Sequence, residues 1–120
     1  MDTPKIHESE YRFCLILWEH GPITAVELAK LSLAQLGWKR TTTYTVLKKL
    51  CDRGIFATKD QRIMVLISKE EFHAMQSEHF VEQTFDGSLP AFLAAFTARK
   101  KPTAKELEEI KKLLESLGEK

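Results

Sequence analysis

Residues 38–54 read Trp38-Lys39-Arg40-Thr41-Thr42-Thr43-Tyr44-Thr45-Val46-Leu47-Lys48-Lys49-Leu50-Cys51-Asp52-Arg53-Gly54, and the two faces of this stretch decide the fold. Thr43, Leu47, Leu50 and Cys51 recur at helical spacing, which turns one side toward a core. The opposite side carries Arg40, Thr41, Thr42, Thr45, Lys48 and Lys49, with no carboxylate before Asp52. Solvent-facing helices normally mix both signs, because opposite charges at i and i+4 support them. A face of short hydroxyls and long cations suits a DNA groove instead. The cations neutralise phosphates, and the hydroxyls can approach base edges or thymine methyl groups. The competing reading is a solvated helix that simply lacks acids.

The chain has 120 residues and a formal net charge of +1. That length fits one small domain with an appendage and a modest core. No apolar run approaches the roughly 20 residues of a membrane span. Met1-Asp2-Thr3-Pro4-Lys5-Ile6 lacks a basic-then-apolar secretion pattern, so a cytoplasmic protein is expected. Cys14 and Cys51 sit far apart inside apolar helical patterns, which favours two reduced, buried thiols over a disulfide or metal site. The near-neutral total hides an uneven distribution. Residues 38–62 hold Lys39, Arg40, Lys48, Lys49, Arg53, Lys59 and Arg62 against Asp52 and Asp60, while the flanking segments are mildly acidic. A nucleic-acid binder needs a local basic patch more than a basic chain.

Upstream, a helix is predicted from about His7 to His20, with Tyr11, Cys14, Leu15, Leu17 and Trp18 inward and Gly21-Pro22 ending it. Ile23 adds a short extended link. Thr24-Ala25-Val26-Glu27 is a capping box opening a second helix, which carries Leu28, Ala29 and Leu31 inward and lasts to about Leu36 before the turn at Gly37. Helix, turn, helix, short turn and basic helix make a helix-turn-helix. Downstream of Gly54, Ile55-Phe56-Ala57-Thr58 and Ile63-Met64-Val65-Leu66-Ile67 are β-prone runs flanking Lys59-Asp60-Gln61-Arg62, which reads as a hairpin wing. The absence of Gly or Asn argues against a tight two-residue turn there. Arg62 is expected to touch a phosphate or the minor groove, against the alternative of a solvated hairpin charge.

Ser68-Lys69-Glu70-Glu71 is a second capping box. It opens a helix with Phe72, Met75, His79, Phe80 and Val81 on one side, broken at Asp86-Gly87. Ser88 caps a short helix with Leu89, Phe92, Leu93 and Phe96, and Arg99-Lys100-Lys101-Pro102 interrupts. Thr103-Ala104-Lys105-Glu106 is a third box, followed by Leu107, Ile110, Leu114 and Leu117 on an a/d seam. Such short helices cannot bury their apolar faces against one another completely, so pairing with a second copy is expected, the alternative being docking on the chain's own winged helix. The predicted class is mainly α with a small β-hairpin. A winged helix-turn-helix DNA-binding domain over residues 1–68 precedes a helical dimerisation domain over residues 69–120. A chain ending before Ser68 is expected to fold as a monomer.

No enzyme motif accompanies this pattern. His7, His20, His73 and His79 are scattered, no Cys or His-carboxylate set has ligand spacing, and neither a glycine-rich phosphate loop nor a nucleophile elbow is present. No metal, cofactor or catalytic residue is expected. Trp18 reads as core, and Trp38 as a pin for the turn into the basic helix rather than a stacking platform for bases.

Taken together, several features are similar to the penicillinase repressor family of bacterial transcription regulators. They run from Ser9-Glu10 through Leu17-Trp18 and Gly21-Pro22-Ile23-Thr24-Ala25, then Gly37-Trp38 with Thr42-Thr43-Tyr44-Thr45-Val46-Leu47, and Leu50 with Arg53-Gly54-Ile55. Val65 to Phe72, Phe85-Asp86-Gly87-Ser88-Leu89 and the Thr103–Leu117 helix match as well, so nearly the whole chain is covered. The resemblance implies a homodimeric repressor on inverted-repeat operator DNA, often with TACA and TGTA half-sites, controlling β-lactamase or related antibiotic-resistance genes. It also implies release through a membrane sensor with a zinc protease domain. The family's cleaved Asn-Phe bond aligns on Ala95-Phe96, with Ala95 in place of the Asn. The Cys-x-Cys motifs of the copper-responsive branch are missing, which argues against copper sensing. Thr41 stands where a basic residue is frequent in the family, and Lys39 and Arg40 replace a Ser-type start, so a different operator preference is expected.

The expected DNA contacts are therefore Lys39, Arg40, Thr41, Thr42, Thr45, Lys48, Lys49 and Arg62. The expected dimer contacts are Phe85, Leu89, Phe92, Leu93, Phe96, Leu107, Ile110, Leu114 and Leu117. The rival function is a winged helix used for protein–protein contact without sequence-specific DNA binding, for which a near-neutral charge would be natural.

Overall fold

The first helix starts where a carboxylate can reach back to it. Glu10 accepts the His7 backbone N–H at 2.9 Å and caps α1 (Glu8–His20). The computed structural model describes residues 6–118. Residues 1–5, read above for a secretion signal, and residues 119–120 lie outside it. At the far end of α1 the Gly21 N–H donates to Leu17 O at 2.8 Å. A Cβ on Gly21 would come within 2.7 Å of that same carbonyl oxygen, so only glycine allows the chain to turn this closely.

The short link at Ile23 is a strand, β1 (Ile23–Thr24). Thr24 then caps α2 (Ala25–Leu36), with the Glu27 N–H donating to Thr24 Oγ1 at 3.2 Å and the Thr24 N–H to Glu27 Oε1 at 3.2 Å. Gly37, at φ 73°, supplies the left-handed residue that ends α2, its N–H donating to Leu33 O. The basic stretch follows as α3 (Arg40–Asp52), and the wing as β2 (Phe56–Lys59) and β3 (Arg62–Val65). The sheet order is β1-β3-β2, all antiparallel, pairing Ile23 with Ile63, Thr24 with Arg62, Phe56 with Val65 and Lys59 with Arg62.

The hairpin departs from expectation. It closes on a two-residue turn at Asp60 and Gln61, both left-handed at φ 51° and 65°. The right-handed twist of paired strands selects that turn geometry, and here it prevails over the lack of Gly or Asn.

Phe13, Cys14, Ile16 and Leu17 of α1, Leu28 of α2, Leu47 and Leu50 of α3, and Ile55, Phe56, Ile63 and Phe72 form one buried cluster. The α1 face is broader than predicted. Phe13 and Ile16 are buried, whereas Tyr11, Leu15 and Trp18 keep some exposure. The reason is that α1 packs on two sides. Phe13 stacks on Trp38, with ring centroids 5.3 Å apart, while Trp18 meets Phe72 at 5.6 Å and donates its indole N–H to Ile67 O at 3.0 Å. Trp38 thus pins the turn between α2 and α3.

The C-terminal helices are α4 (Lys69–Phe85), α5 (Leu89–Arg99) and α6 (Ala104–Gly118). All three predicted caps form. The Glu71 N–H donates to Ser68 Oγ, the Ala91 N–H to Ser88 Oγ and the Glu106 N–H to Thr103 Oγ1, each at 3.1 Å. No helix among the described residues is long and apolar enough to cross a membrane. The chain divides into two compact units inside α4, one reaching Ser77 and the other beginning at Glu78. Phe72 ties the first turn of α4 to the first unit, its fully buried ring being part of the core built on α1. Tyr11 reinforces it, with its hydroxyl oxygen 2.7 Å from His73 Nε2.

Two outcomes are expected. Gln61→Gly should remove a left-handed non-glycine residue and stabilise the first unit by about 1 kcal/mol, a rise of roughly 4–8 °C in Tm for a unit of this size. Thermal unfolding checks it, and an unchanged or lower Tm refutes it. A chain ending after Ser77 should unfold cooperatively near the parent temperature. One ending before Ser68 loses the buried Phe72 ring, at a cost of about 3–5 kcal/mol, and should melt far lower or not fold.

Candidate nucleic-acid interface

The helix that begins at Arg40 shows its two faces directly. Thr43, Leu47 and Leu50 are buried, whereas Lys39, Arg40, Thr41, Thr42, Thr45, Lys48 and Lys49 are all exposed. Its first turn contains no acidic residue, and the N-cap Lys39 makes no side-chain cap. Two cations beside the positive end of a helix dipole weaken the helix slightly but leave that end suited to an anion.

The hydroxyls are not equivalent. Thr45 Oγ1 donates to Thr41 O at 2.9 Å, so its proton is committed to the helix and Thr45 offers lone pairs and a methyl group rather than a donor. Lys48 Nζ lies 3.6 Å from Asp52 Oδ2, an i,i+4 pair whose side chains are 80 and 68% exposed. A pair this exposed holds Lys48 only weakly, and salt or a phosphate can displace the carboxylate.

The wing adds a feature that residue counting did not single out. Because the turn is only Asp60-Gln61, Lys59 and Arg62 stand directly opposite each other across β2 and β3. Like charges in that position repel, which is a cost to the hairpin that an anion between them would relieve. The register of the turn was the missing signal, since a two-residue loop forces residues 59 and 62 together. Arg62 also pairs with Thr24 in β1. The Thr24 amide and hydroxyl hold the Glu27 carboxyl below its ordinary range, with the Arg62 and Lys30 charges adding to this. Arg62 therefore lies between a cation on the wing and a carboxylate on α2.

At its other end α3 is tied to α1. Arg53 Nη1 lies 3.0 Å from Glu10 Oε1, and the Glu10 side chain is only 8% exposed. Burial alone would raise the Glu10 carboxyl, but the His7 amide and then the Arg53 guanidinium outweigh it and hold it below the ordinary range. This contact spans 43 positions and nothing local in the sequence marks it. Cys14 and Cys51 are not joined in a disulfide. Cys14 is buried, and that burial, with Glu10 adding, pushes it up to about 12. Cys51 is only partly buried, short of the full burial expected of it, because it sits on the edge of the α3 core face. Burial raises it too, against a hydrogen bond with Thr58. Among the described residues no group of three or more His, Cys, Asp or Glu could hold a metal ion.

The residues expected at a dimer contact lie in the second unit. Phe80, Phe85 and Phe92 form a mutual cluster with ring centroids 5.7–6.0 Å apart, and Phe96 extends it at 6.2 Å from Phe92. Phe85 and Phe92 are half-buried there. Leu89, Leu93, Phe96, Leu107, Ile110, Leu114 and Leu117 are exposed, as is Leu113, and neither α5 nor α6 contains a buried residue. Phe80 and Leu113 share this apolar surface without having been among the expected contacts. A cleft of about 250 Å³ between α5 and α6 is lined by Phe92, Leu93, Phe96 and Ile110. The Ala95–Phe96 bond sits inside α5, with Phe96 O accepting the Lys100 N–H at 3.0 Å.

The profile of the penicillinase repressor family matches residues 6–116. Among solved structures, the chain is similar to a MarR protein from Peptoclostridium difficile. The two are 18% identical with a TM-score of 0.44, over 94% of this chain and 69% of that one. No curated protein sequence matches. With the family profile spanning nearly the whole chain, which folds as a winged helix-turn-helix followed by further helices, the protein belongs to the penicillinase repressor family of transcription regulators.

Proposed function

We propose that this repressor acts as a homodimer on inverted-repeat operator DNA, with α3 in the major groove. The observation that carries the reading is the exposed, acid-free face of α3, running from Lys39 to Lys49 opposite the buried Thr43, Leu47 and Leu50. In this arrangement Lys39, Arg40, Lys48 and Lys49 neutralise phosphates, and Lys59 and Arg62 clamp a further phosphate at the wing. Thr41, Thr42 and Thr45 face base edges. Thr45, with its proton held by Thr41 O, contributes acceptor or methyl contacts rather than a donated hydrogen bond.

Two-fold assembly is supported by the apolar residues left exposed on α5 and α6. Burying one such side chain contributes about 1.5–3 kcal/mol, and symmetry counts each twice. Family membership supports control of β-lactamase or other resistance genes in the cytoplasm, with release through a sensor-protease pathway. Cleavage at Ala95–Phe96 requires α5 to open first, because that bond is helical.

The Lys48→Ala/Lys49→Ala variant should bind all duplexes more weakly, with the slope of log affinity against log salt shallower by roughly two. Thr42→Ala should instead change which sequences are preferred. Retardation and fluorescence titrations with random and selected duplexes measure both effects. Absence of any binding to random duplex by the parent protein would favour a protein–protein module.

Leu114→Asp and Phe92→Ala should each dissociate the dimer in sedimentation while leaving the thermal unfolding of the first unit unchanged. Variants that sediment as the parent does would show that these faces do not hold two copies together.

A further inference from the structure

We infer that the Glu10–Arg53 ion pair is a positioning device for operator reading, fixing the roll of α3 and hence where Thr41, Thr42 and Thr45 meet the bases. The inference rests on the DNA-binding reading above and adds to it residues that touch no DNA.

One carboxylate oxygen does two tasks. Glu10 Oε1 accepts the His7 N–H at 2.9 Å and meets Arg53 Nη1 at 3.0 Å. Capping α1 needs only the first of these, and a neutral amide would serve. The second joins the first turn of α1 to the residue that closes α3, whose own N–H donates to Lys49 O at 3.1 Å. Glu10 is nearly buried and Arg53 is 34% exposed, so the pair is shielded on the Glu10 side.

A pair of this kind is a poor source of stability, because removing the carboxylate from water offsets most of the attraction. Replacing both partners with apolar residues is often neutral or favourable. What the pair supplies is direction, since a charge-assisted hydrogen bond to a guanidinium has a set geometry.

The rest of the inward face of α3 supplies little direction. Leu47 and Leu50 pack by apolar contact, which is non-directional. The buried Thr43 hydroxyl makes no hydrogen bond, and Cys51 contributes one weak thiol contact with Thr58. A helix with side chains has a radius of about 5–6 Å, so a roll of roughly 20° carries an outward side chain about 2 Å. That exceeds the spread of distances over which a hydrogen bond survives. Phosphate contacts through long lysines tolerate such a roll, whereas short threonines do not.

The test uses the full chain and a duplex recovered by the parent protein from a randomised pool. Glu10→Met/Arg53→Met loses the α1 cap together with the pair, so it should melt lower than the parent by no more than such a cap contributes. It should bind random duplex within about twofold and with the same salt slope, while its preference for the selected duplex falls at least about tenfold. Glu10→Gln keeps the shape and the cap of α1, and should lose part of that preference in the same way. It carries the test if the double variant does not fold.

A preference kept within about twofold in the folded variants would overturn the inference. So would a salt slope shallower by about one in the double variant, which would make Arg53 a phosphate ligand. If the parent enriches no duplex at all, the DNA reading itself fails, and this inference falls with it.

Discussion

Burial of α1 on two sides is the constraint on which the winged-helix unit depends. Phe13, Cys14, Ile16 and Leu17 are all buried, and each neighbouring element is located by one of the helix's flanks. Phe13 receives Trp38, which fixes the turn into α3. Trp18 and Tyr11 receive Phe72, which brings the first turn of α4 into the same unit. Glu10, at the start of the helix, holds Arg53 at the end of α3. A domain this small buries a limited fraction of its surface, so few residues are free to serve a single contact. Orientation of the basic helix and integrity of the core are consequently set by the same thirteen-residue element.

What the sequence made legible was local. The capping boxes at Thr24, Ser68 and Thr103 are read from four consecutive residues, and each forms as expected because donor and acceptor lie within one helical turn. The two faces of α3 were legible for the same reason, its period being visible within one segment. What escaped reading was long-range. The two-residue strand β1 exists only through its pairing with β3. Phe13 and Ile16 are buried because α1 has neighbours on a second side, which its own periodicity does not encode. Of the candidate site, the cations on α3 were plain. Lys59 was not, because its importance comes from a turn whose geometry Asp60 and Gln61 do not announce. Glu10 and Arg53 were quoted as separate parts of a family pattern, and only packing joins them.

The distribution of carboxylates explains how a nearly neutral chain presents a basic surface. Glu10, Glu27, Glu71 and Glu106 each accept a backbone N–H at the start of a helix. There the positive end of the helix dipole favours them. Acidic residues are thus drawn to α1, α2, α4 and α6. The helix α3 is assembled without this device and begins on Lys39 and Arg40 instead. Its stability must then come from packing Leu47 and Leu50 and from the helix dipole meeting Arg53 at its far end. The absence of an acidic cap costs the helix some local support and leaves its exposed face free of carboxylates up to Asp52.

The second unit has the opposite balance. The helices α5 and α6 have well-formed ends, yet neither contains a buried residue, and isolated helices of their length are marginal in water. On the homodimer reading, the contacts that hold the helices and the contacts that hold the two copies are largely the same. Helix stability would then depend on protomer concentration by mass action. The Ala95–Phe96 bond lies in the middle of α5, where its backbone is hydrogen-bonded. A protease acting there would need the helix opened, and opening is easier in the dissociated chain, whose apolar side has lost its partner. Cleavage would therefore draw on free protomers more than on dimers seated on DNA. Induction by that route would follow the rate at which the repressor leaves its operator.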